Sequence, residues 1–430
     1  MYKTDEWKTQ LTQGQALQYF NWLYPDIAKE QPARYIGAID VFEQAYGDSR
    51  ETALFSAPGR SEIGGNHTDH QGGKVLAASV TMDMIAVVSP RDDNIVNFIS
   101  KGFPTDVVDI SDVAIQQSEK GKSAALIRGV CARMKQLGFN IGGFDAYQES
   151  NVLKGSGLSS SAALEVLIGT ILNGLYNGGG IPSAEIAKIG QYAENVYFEK
   201  PCGLMDQMAS ATGGVIAIDF LDAENPVVEQ VPCDFKEFGY EFCIVNAGGS
   251  HADLTDEYAA IPEEMKRVAA TFGKKLLSEV DAAEFHGKLG SLRGSVSDRA
   301  LLRAIHFFAD NATVDLEKDA LKNGDIETFR NLLNASGRSS FYALQNCYPS
   351  NNIGERSVAL ALVVSEKLLD GKGASRVHGG GFSGTIQALV PADDMQNYVA
   401  GMEMVFGEGC CYPLSVRPAG GIMIPDDFYK

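Results

Sequence analysis

The sequence predicts an α+β protein, in which strands and helices are segregated along the chain rather than alternating. Strand-like runs cluster in the first half, whereas helical periodicity dominates much of the second half. A chain of 430 residues is too long for one compact core and suits two lobes. No tandem repeat or low-complexity tail is visible in the sequence.

The chain opens with two predicted helices. Residues 11–24 and 33–47 place apolar side chains at helical spacing, so we expect a helical N-terminal extension over residues 1–50. Alternating or short apolar runs predict strands at residues 53–56, 82–90, 94–99, 142–149, 214–220, 240–246, 375–378 and 385–390. Further helices are predicted at residues 122–137, 160–176, 183–196, 254–272, 297–310, 324–336 and 355–370. We therefore expect a first lobe over residues 51–215 and a second over residues 216–430.

The composition argues against some classes of binding partner. The formal net charge of −19 repels nucleic acid and anionic lipid, so we expect neither as a partner. Backbone amides can still bind a phosphate inside an acidic protein. The first ten residues lack a secretory pattern, and no run of 18 apolar residues suits a membrane span. Seven cysteines, an odd number without a C-x-x-C pair, argue against a zinc site or a disulfide framework and indicate a cytoplasmic protein.

A glycine- and serine-rich segment precedes the helix predicted at residues 160–176. It comprises Gly155, Ser156, Gly157, Leu158, Ser159, Ser160 and Ser161. Glycines allow a backbone to approach a phosphate, and the amides and dipole of a helix N-terminus attract anions. A flexible loop with a serine cap would give the same pattern. It is not a Walker A loop, because the Gly-Lys-Ser at residues 121–123 lacks the preceding glycine.

Three other segments carry clusters of polar groups or glycines. Residues 58–73 hold many hydrogen-bonding side chains between glycine turns, as a sugar site requires, although a polar surface loop is the alternative. Residues 201–208 place Asp206 among apolar neighbours, where an acid is functional or caps a helix. Residues 378–384 contain four glycines, so a backbone or a ligand approaches closely, or a hairpin turns there.

Together, in this order, the four segments resemble the GHMP kinase superfamily and specifically the galactokinases. Residues 59–73 (GRSEIGGNHTDHQGG) are similar to the galactokinase signature, and residues 157–162 to the family's phosphate loop. Residues 201–207 resemble the segment with the catalytic aspartate, and residues 379–384 the third motif. Asn246, His251, Glu257 and Tyr258 are similar to a further galactokinase stretch. The resemblance covers residues 52 to 420 and implies a two-lobed GHMP kinase fold with the active site in the interlobe cleft.

The resemblance also implies roles for individual residues in phosphoryl transfer from ATP to the anomeric hydroxyl of galactose. Asp206 would be the catalytic base, and Arg60 would hold it ionised and offset charge on the transferring group. Ser161 and Glu194 would hold Mg²⁺, and residues 155–161 would wrap the phosphates of ATP. The residues implied to contact the sugar are Arg60, Asn66, His67, Asp69, Gly203, Asp206 and Tyr258. A monomer or weak dimer is expected.

Several departures from the family pattern leave the identity of the sugar open. Asn66 stands where galactokinases have a glutamate that binds the C6 hydroxyl, and Ser61-Glu62 replaces the usual Val-Asn. Residues 69–73 are similar to the corresponding stretch of plant galacturonokinases, and residues 338–350 lack an acidic family motif. A kinase of galacturonate or another C6-modified hexose therefore stays an alternative. So does a sensor that binds ATP and galactose without turnover.

Overall fold

The computed structural model describes residues 1–152, 157–249, 254–426 and 428. The helices are α1 (Thr4–Thr12), α2 (Leu17–Leu23), α3 (Gln31–Tyr46), α4 (Ser123–Gln136), α5 (Ser160–Tyr176), α6 (Ser183–Tyr192), α7 (Met205–Thr212), α8 (Thr255–Thr271), α9 (Ala282–Leu292), α10 (Asp298–Lys322), α11 (Ile326–Ser339), α12 (Ser357–Leu369) and α13 (Met395–Phe406). The strands are β1 (Tyr2–Lys3), β2 (Glu51–Gly64), β3 (Lys74–Pro90), β4 (Ile95–Ser100), β5 (Asp106–Asp109), β6 (Phe144–Ser150), β7 (Val215–Asp219), β8 (Val227–Val231), β9 (Tyr240–Gly248), β10 (Ala374–Val377), β11 (Gly384–Pro391), β12 (Cys411–Leu414) and β13 (Ile422–Met423). The predicted α+β class is confirmed.

The larger sheet is built around the antiparallel pair β2 and β3. Its order is β1-β2-β3-β6-β4-β5, with β13 paired to β2, β7 paired to β3, and β8 paired to β7. The pairing of β2 with β3 shifts register between Pro58 and Arg60, and again between Glu62 and Gly64. Register shifts of this kind re-aim side chains, so they set the directions of Arg60 and Glu62.

Helices cover both faces of this sheet. Leu54 and Ile85 pack with Trp7 and Phe20 of the N-terminal helices. Phe55, the next residue of β2, packs on the other face in a core that includes residues of α5. Because successive side chains of a strand point to opposite faces, this cover on both faces explains why β2 and β3 are buried almost throughout.

The smaller sheet is antiparallel, in the order β10-β11-β9-β12. β7 and β8 extend the larger sheet to Val231, and β9 opens the smaller sheet at Tyr240. The boundary predicted after residue 215 therefore falls at the start of β7, inside the larger sheet. Strand pairing places the division between the sheets at residues 232–239.

Some predicted elements differ from those observed. The predicted helix over residues 11–24 is wrong as one element, because it divides at residues 13–16, where Gly14 has a φ of +74°. The helix predicted at residues 297–310 continues to Lys322. The predictions from sequence miss α7, α9, α13, β1, β5, β8, β12 and β13. No helix among the described residues has both the length and the apolar character needed to cross a bilayer.

Candidate active site

A tight turn leads into the N-terminus of α5. Gly157 has a φ of +75° and Ser159 a φ of +58°, both in the left-handed region. α5 then runs for 17 residues, so its first turn presents free backbone amides and the positive end of a helix dipole. The predicted ATP-binding residues in this turn are Gly157, Leu158, Ser159, Ser160 and Ser161. The other two, Gly155 and Ser156, lie outside the described residues, as does His251.

Arg60 and Asp206 form an ion pair beside this turn. Arg60 Nε and Nη2 each lie 2.7 Å from Asp206 Oδ1. Arg60 Nη1 donates to the Gly157 carbonyl, and Ser159 Oγ donates to Asp206 Oδ2. The Arg60 backbone N–H also donates to the Leu158 carbonyl at 3.1 Å. These contacts fix the start of α5 against the bulged part of β2.

The electrostatics of the pair favour an ionised Asp206. Burial disfavours the carboxylate, but the Arg60 charge and the hydrogen bonds from Ser159 and Arg60 outweigh it, so the pKa of Asp206 lies below its ordinary value. Asp206 also lies in the first turn of α7, where the helix dipole favours a negative charge. Its side chain keeps 27% exposure, so the carboxylate is accessible to solvent.

Ser161 and Glu194 meet on the other side of the α5 turn. Ser161 Oγ donates to Glu194 Oε1 at 2.9 Å, and Lys200 Nζ lies 2.9 Å from the same oxygen. Glu194 belongs to a π-helical turn, Ala193–Phe198, that follows α6. Turns of this kind frequently occur at functional sites. Gln207 Nε2 bridges Glu194 Oε2 at 3.0 Å and Glu165 Oε2 at 2.9 Å.

Four residues of the predicted sugar site lie close to one another or to residues 379–381, which we call the glycine-rich segment. They are His67, Asp69, Gly203 and Tyr258. His67 Nε2 lies 3.0 Å from the Gly380 carbonyl, and Tyr258 Oη donates to the Gly381 carbonyl at 3.0 Å. Burial and the neighbouring His70 lower the pKa of His67 to about 4, so its ring is neutral at pH 7. A Cβ on Gly203 would lie 2.6 Å from Asp69 Oδ2, so a glycine allows this approach.

Asn66 is placed differently from its neighbours in the same segment. Its side chain is fully buried, and its amide nitrogen donates to Glu62 Oε1 at 2.7 Å and to the Gly379 carbonyl at 2.8 Å. Its amide oxygen accepts from Asn346 Nδ2 at 2.7 Å and from Ser340 Oγ at 3.3 Å. Both donors and both acceptor positions are used within the protein, which argues against the predicted contact with a sugar.

Sequence reasoning missed Glu165 and Lys200 next to this site and assigned no role to His378. Glu165 is fully buried on α5, and burial followed by the Glu194 charge raises its pKa well above the ordinary value. Lys200 contacts Glu194, as described above. His378 Nε2 lies 3.1 Å from Ser61 Oγ, and a Cβ on Gly157 would lie 2.8 Å from His378 Nδ1. Only the position of His378 beside a glycine motif gave a signal in the sequence.

Two family models match the chain. A model described as the galactokinase galactose-binding signature matches residues 40–90, which include Arg60 and residues 66–69. A model of the GHMP kinase N-terminal domain matches residues 125–214, which include the α5 turn, Glu194 and Asp206. The two matched ranges therefore contain most of the site residues described above.

Comparisons with whole proteins cover most of the chain. A galactokinase of Lactococcus lactis subsp. cremoris is 30% identical over 385 residues, which span 87% of this chain and 92% of that protein. The crystal structure of a Lactococcus lactis galactokinase complexed with galactose superimposes with a TM-score of 0.75 and 26% identity, over 89% of this chain and 97% of that one. Methanococcus jannaschii mevalonate kinase has a TM-score of 0.60 and 14% identity over 85% of this chain and 98% of its own, a likeness of fold.

Proposed function

The chain belongs to the galactokinase family of GHMP kinases, and from this premise we propose that it phosphorylates D-galactose at the anomeric hydroxyl with ATP. The products are galactose 1-phosphate and ADP. The observation that carries the proposal is the Arg60–Asp206 ion pair, which contacts the turn before α5 through Gly157 and Ser159. Asp206 follows Gly203, where a Cβ would lie 2.6 Å from Asp69 Oδ2. This arrangement supports a partly exposed, ionised base next to the proposed phosphate turn and the proposed sugar residues.

Asp206 acts as the general base in this reaction. Its carboxylate accepts the proton of the C1 hydroxyl while the C1 oxygen forms a bond to the γ-phosphorus of ATP. The bond from the γ-phosphorus to the β,γ-bridging oxygen breaks, and ADP leaves with that oxygen. Arg60 keeps Asp206 ionised before transfer and stabilises negative charge on the phosphoryl group during transfer. A base with a low pKa contributes mainly through its position, because it is weakly basic.

The α5 turn binds the phosphates of ATP. The free amides of Ser160 and Ser161 and the helix dipole suit an anion, and the left-handed Gly157 lets the backbone curve around it. This assignment covers the described part of the predicted loop.

Ser161 and Glu194 are the residues that would hold Mg²⁺. A hydroxyl and a carboxylate oxygen 2.9 Å apart are hard donors that suit this ion. Glu165 Oε1 is buried and has no hydrogen-bond partner among the described residues, so a cation bound nearby would stabilise an oxygen that the described residues leave without a donor. When bound, Mg²⁺ neutralises charge on the β- and γ-phosphates.

His67, Asp69, Gly203 and Tyr258 form the proposed sugar side of the site. The Asp69 carboxylate offers an acceptor for a sugar hydroxyl, and Gly203 leaves room beside it. Tyr258 packs edge-on against Phe382 at 5.3 Å, which fixes the wall formed by the glycine-rich segment. Asn66 supports this side through hydrogen bonds within the protein rather than by contact with the sugar.

An assay of ADP release with Mg-ATP tests the proposal. Purified protein is given galactose, galacturonate or other hexoses in parallel. We expect turnover on galactose and little on galacturonate. Preferential turnover on galacturonate would move the assignment to a kinase of C6 acids. Binding of ATP and galactose without ADP release would instead establish a sensor and overturn the catalytic proposal.

The proposal extends to the organisation of the protein. We place an N-terminal helical extension at residues 1–50 and revise the lobe boundary to residues 232–239, because β7 and β8 pair within the larger sheet. The net charge of −19 and the cysteine pattern support a cytoplasmic enzyme that does not bind nucleic acid or membranes. A monomer or weak dimer remains our proposed state, to be measured by light scattering.

A further inference from the structure

Two departures from the galactokinase pattern, at residues 62 and 66, contact each other. Asn66 Nδ2 donates to Glu62 Oε1 at 2.7 Å. Glu62 is 5% exposed and also pairs with Arg376 Nη2 at 3.0 Å, and Arg376 is fully buried on β10. A buried carboxylate is tolerated when it is paired and hydrogen-bonded, as here. The acid at position 62 and the amide at position 66 are therefore parts of one buried contact.

The orientation of the Asn66 amide is fixed by its partners. The nitrogen faces two acceptors, the Glu62 carboxylate and the Gly379 carbonyl, while the oxygen faces the amide donor of Asn346. A rotated amide would place its oxygen against both acceptors, so these contacts assign the orientation. An aspartate in this place would keep Asn346 as a donor to one oxygen, but its other oxygen would face both acceptors without a hydrogen to donate.

The backbone of Asn66 connects the same point to α10. Its N–H donates to Asp310 Oδ2 at 2.8 Å, and its carbonyl lies 2.9 Å from His306 Nε2. The next residue, His67, has a φ of +59° and reaches the Gly380 carbonyl. Residue 66 is thus held by α10, by β2 through Glu62 and by the glycine-rich segment, directly before the left-handed residue that begins the proposed sugar side.

We propose that Glu62 and Asn66 act as one positioning pair, which docks the glycine-rich segment at residues 379–381 against the proposed sugar-binding residues. Asn66 does not contact the sugar. This inference rests on the proposed function, because it assigns how that sugar site is held in place. The pair affects sugar turnover through the placement of His67 and of the Gly379–Gly381 carbonyls.

A double-mutant cycle with Asn66→Asp and Glu62→Gln tests the pair. Asn66→Asp sets a second carboxylate against Glu62, so we expect kcat/KM for galactose to fall by at least about 30-fold. In the double variant the amide introduced at position 62 can donate to the carboxylate introduced at position 66, and we expect recovery of at least about fivefold relative to Asn66→Asp. The dissociation constant of ATP without sugar should stay within about threefold in all variants. If the double variant is as poor as the product of the single effects, the pair is not coupled and the proposal fails.

A matched substitution controls for the general cost of a buried aspartate. Asn173 on α5 is 7% exposed. Its side-chain nitrogen donates to the Ile181 carbonyl at 3.1 Å, and its side-chain oxygen accepts from the Ile181 N–H at 3.0 Å. Asn173→Asp should lower stability without changing KM for the sugar. If Asn66→Asp does not fold, Asn66→Ala combined with Glu62→Gln completes the same cycle.

A comparison of sugars separates positioning from contact. We measure kcat/KM of Asn66→Asp for galactose, 6-deoxygalactose and galacturonate. A positioning pair lowers all measurable values alike, whereas a change of their ratio by more than about tenfold would show that residue 66 touches C6 and would overturn the proposal. If the wild-type protein turns over no sugar, the proposed function fails, and urea unfolding decides the coupling. A double variant that unfolds at higher urea than Asn66→Asp supports the pair, and one that does not contradicts it.

Discussion

Asp83 and Asp206 each form ion pairs with arginine, yet only Asp206 is partly open to solvent. Asp83 on β3 is fully buried and accepts from Arg34 Nη1 at 2.6 Å, from Arg417 Nη1 at 2.9 Å and from Tyr24 Oη at 2.5 Å. Asp206 has one arginine, Arg60, and keeps 27% exposure of its side chain. Asp83 joins the N-terminal helices to the C-terminal segment, whereas Asp206 leaves room for a ligand.

The pKa does not distinguish the two residues. Burial raises the pKa of Asp83, but Arg34, Arg417 and the hydrogen bonds from Ser56 and Tyr24 overcome it, and the pKa lies below its ordinary value, as for Asp206. Both carboxylates are therefore ionised at neutral pH. Access to solvent, rather than ionisation, separates the buried Asp83 from the proposed catalytic Asp206, and substitution of each residue tests that distinction.

The largest expected effect is on turnover. Asp206→Asn removes the base but keeps the size of the side chain, so kcat should fall by about 10²–10⁴-fold. Binding of ATP should be almost unchanged, as measured by calorimetry. The free energy of unfolding should fall by less than for a fully buried ion pair, because the Asp206 side chain is 27% exposed and Arg60 keeps its hydrogen bond to the Gly157 carbonyl. A variant with wild-type kcat would contradict the role of Asp206.

The matched control is Asp83→Asn, for which we expect the opposite result. Asp83→Asn leaves the buried Arg417 without a carboxylate and leaves Arg34 with Glu149 alone, so the free energy of unfolding should fall by about 3–5 kcal/mol. Urea unfolding measures this loss, and kcat per folded molecule should stay within about threefold of the wild type. A loss of kcat in the folded fraction would show that Asp83 also supports catalysis.

A part of the site can be predicted from sequence when its residues lie close together along the chain. The α5 turn and the segment around His67 are contiguous, so their glycines and polar residues are visible as patterns. Glu165 and Asp83 each stand alone within an apolar run, where periodicity shows burial but not the partner. Their partners come from residues far along the chain, Gln207 for Glu165 and Arg417 for Asp83. Such contacts arise only from tertiary packing.

The prediction of helices from sequence is limited in a similar way, because it depends on patterns within one segment. Long, strongly periodic elements such as α5 were predicted with correct ends, at residues 160 and 176. The eight-residue α7, which carries Asp206, is too short for a periodic pattern to emerge after Pro201 and Gly203. The division of the predicted first helix depended on a single glycine, Gly14, within an otherwise helical pattern.

Glu62 is a third carboxylate paired with an arginine, but here the arginine charge does not offset the effect of burial on the pKa. Burial raises its pKa to about 7, against the lowering effects of Arg376, Arg60 and the Asn66 hydrogen bond. A raised pKa stabilises the fold below the ordinary value of 4.5, and this contribution is lost as the pH rises through about 7. A shift of this size corresponds to about 3 kcal/mol. The lowered pKa values of Asp83 and Asp206 give stability the opposite pH dependence. Their contribution to stability is lost as the pH falls below the ordinary pKa of 3.8.

Urea unfolding between pH 4.5 and 7.5 measures this contribution. Glu62→Gln should make the free energy of unfolding less dependent on pH over this window than it is in the wild type. Asp83→Asn serves as the control, because the contribution of Asp83 changes only at lower pH, and its slope in the window should match that of the wild type. Equal slopes for Glu62→Gln and the wild type would contradict the raised pKa of Glu62.

The smallest expected effect concerns Lys200, which pairs with Glu194 at the rim of the site. Its side chain is 61% exposed, so solvent screens its charge, and the pair contributes about 1 kcal/mol although Glu194 is only 2% exposed. A cation that binds Glu194 and Ser161 must displace the ammonium group, so Lys200→Met should tighten the apparent Mg²⁺ affinity by about two- to fivefold. A titration of ADP release against Mg²⁺ measures this shift, with exposed Lys135→Met on α4 as the control. A fall in kcat of more than about tenfold for Lys200→Met would instead mean that Lys200 contacts the transferring phosphoryl group, since a competing surface ion pair cannot produce a loss of that size.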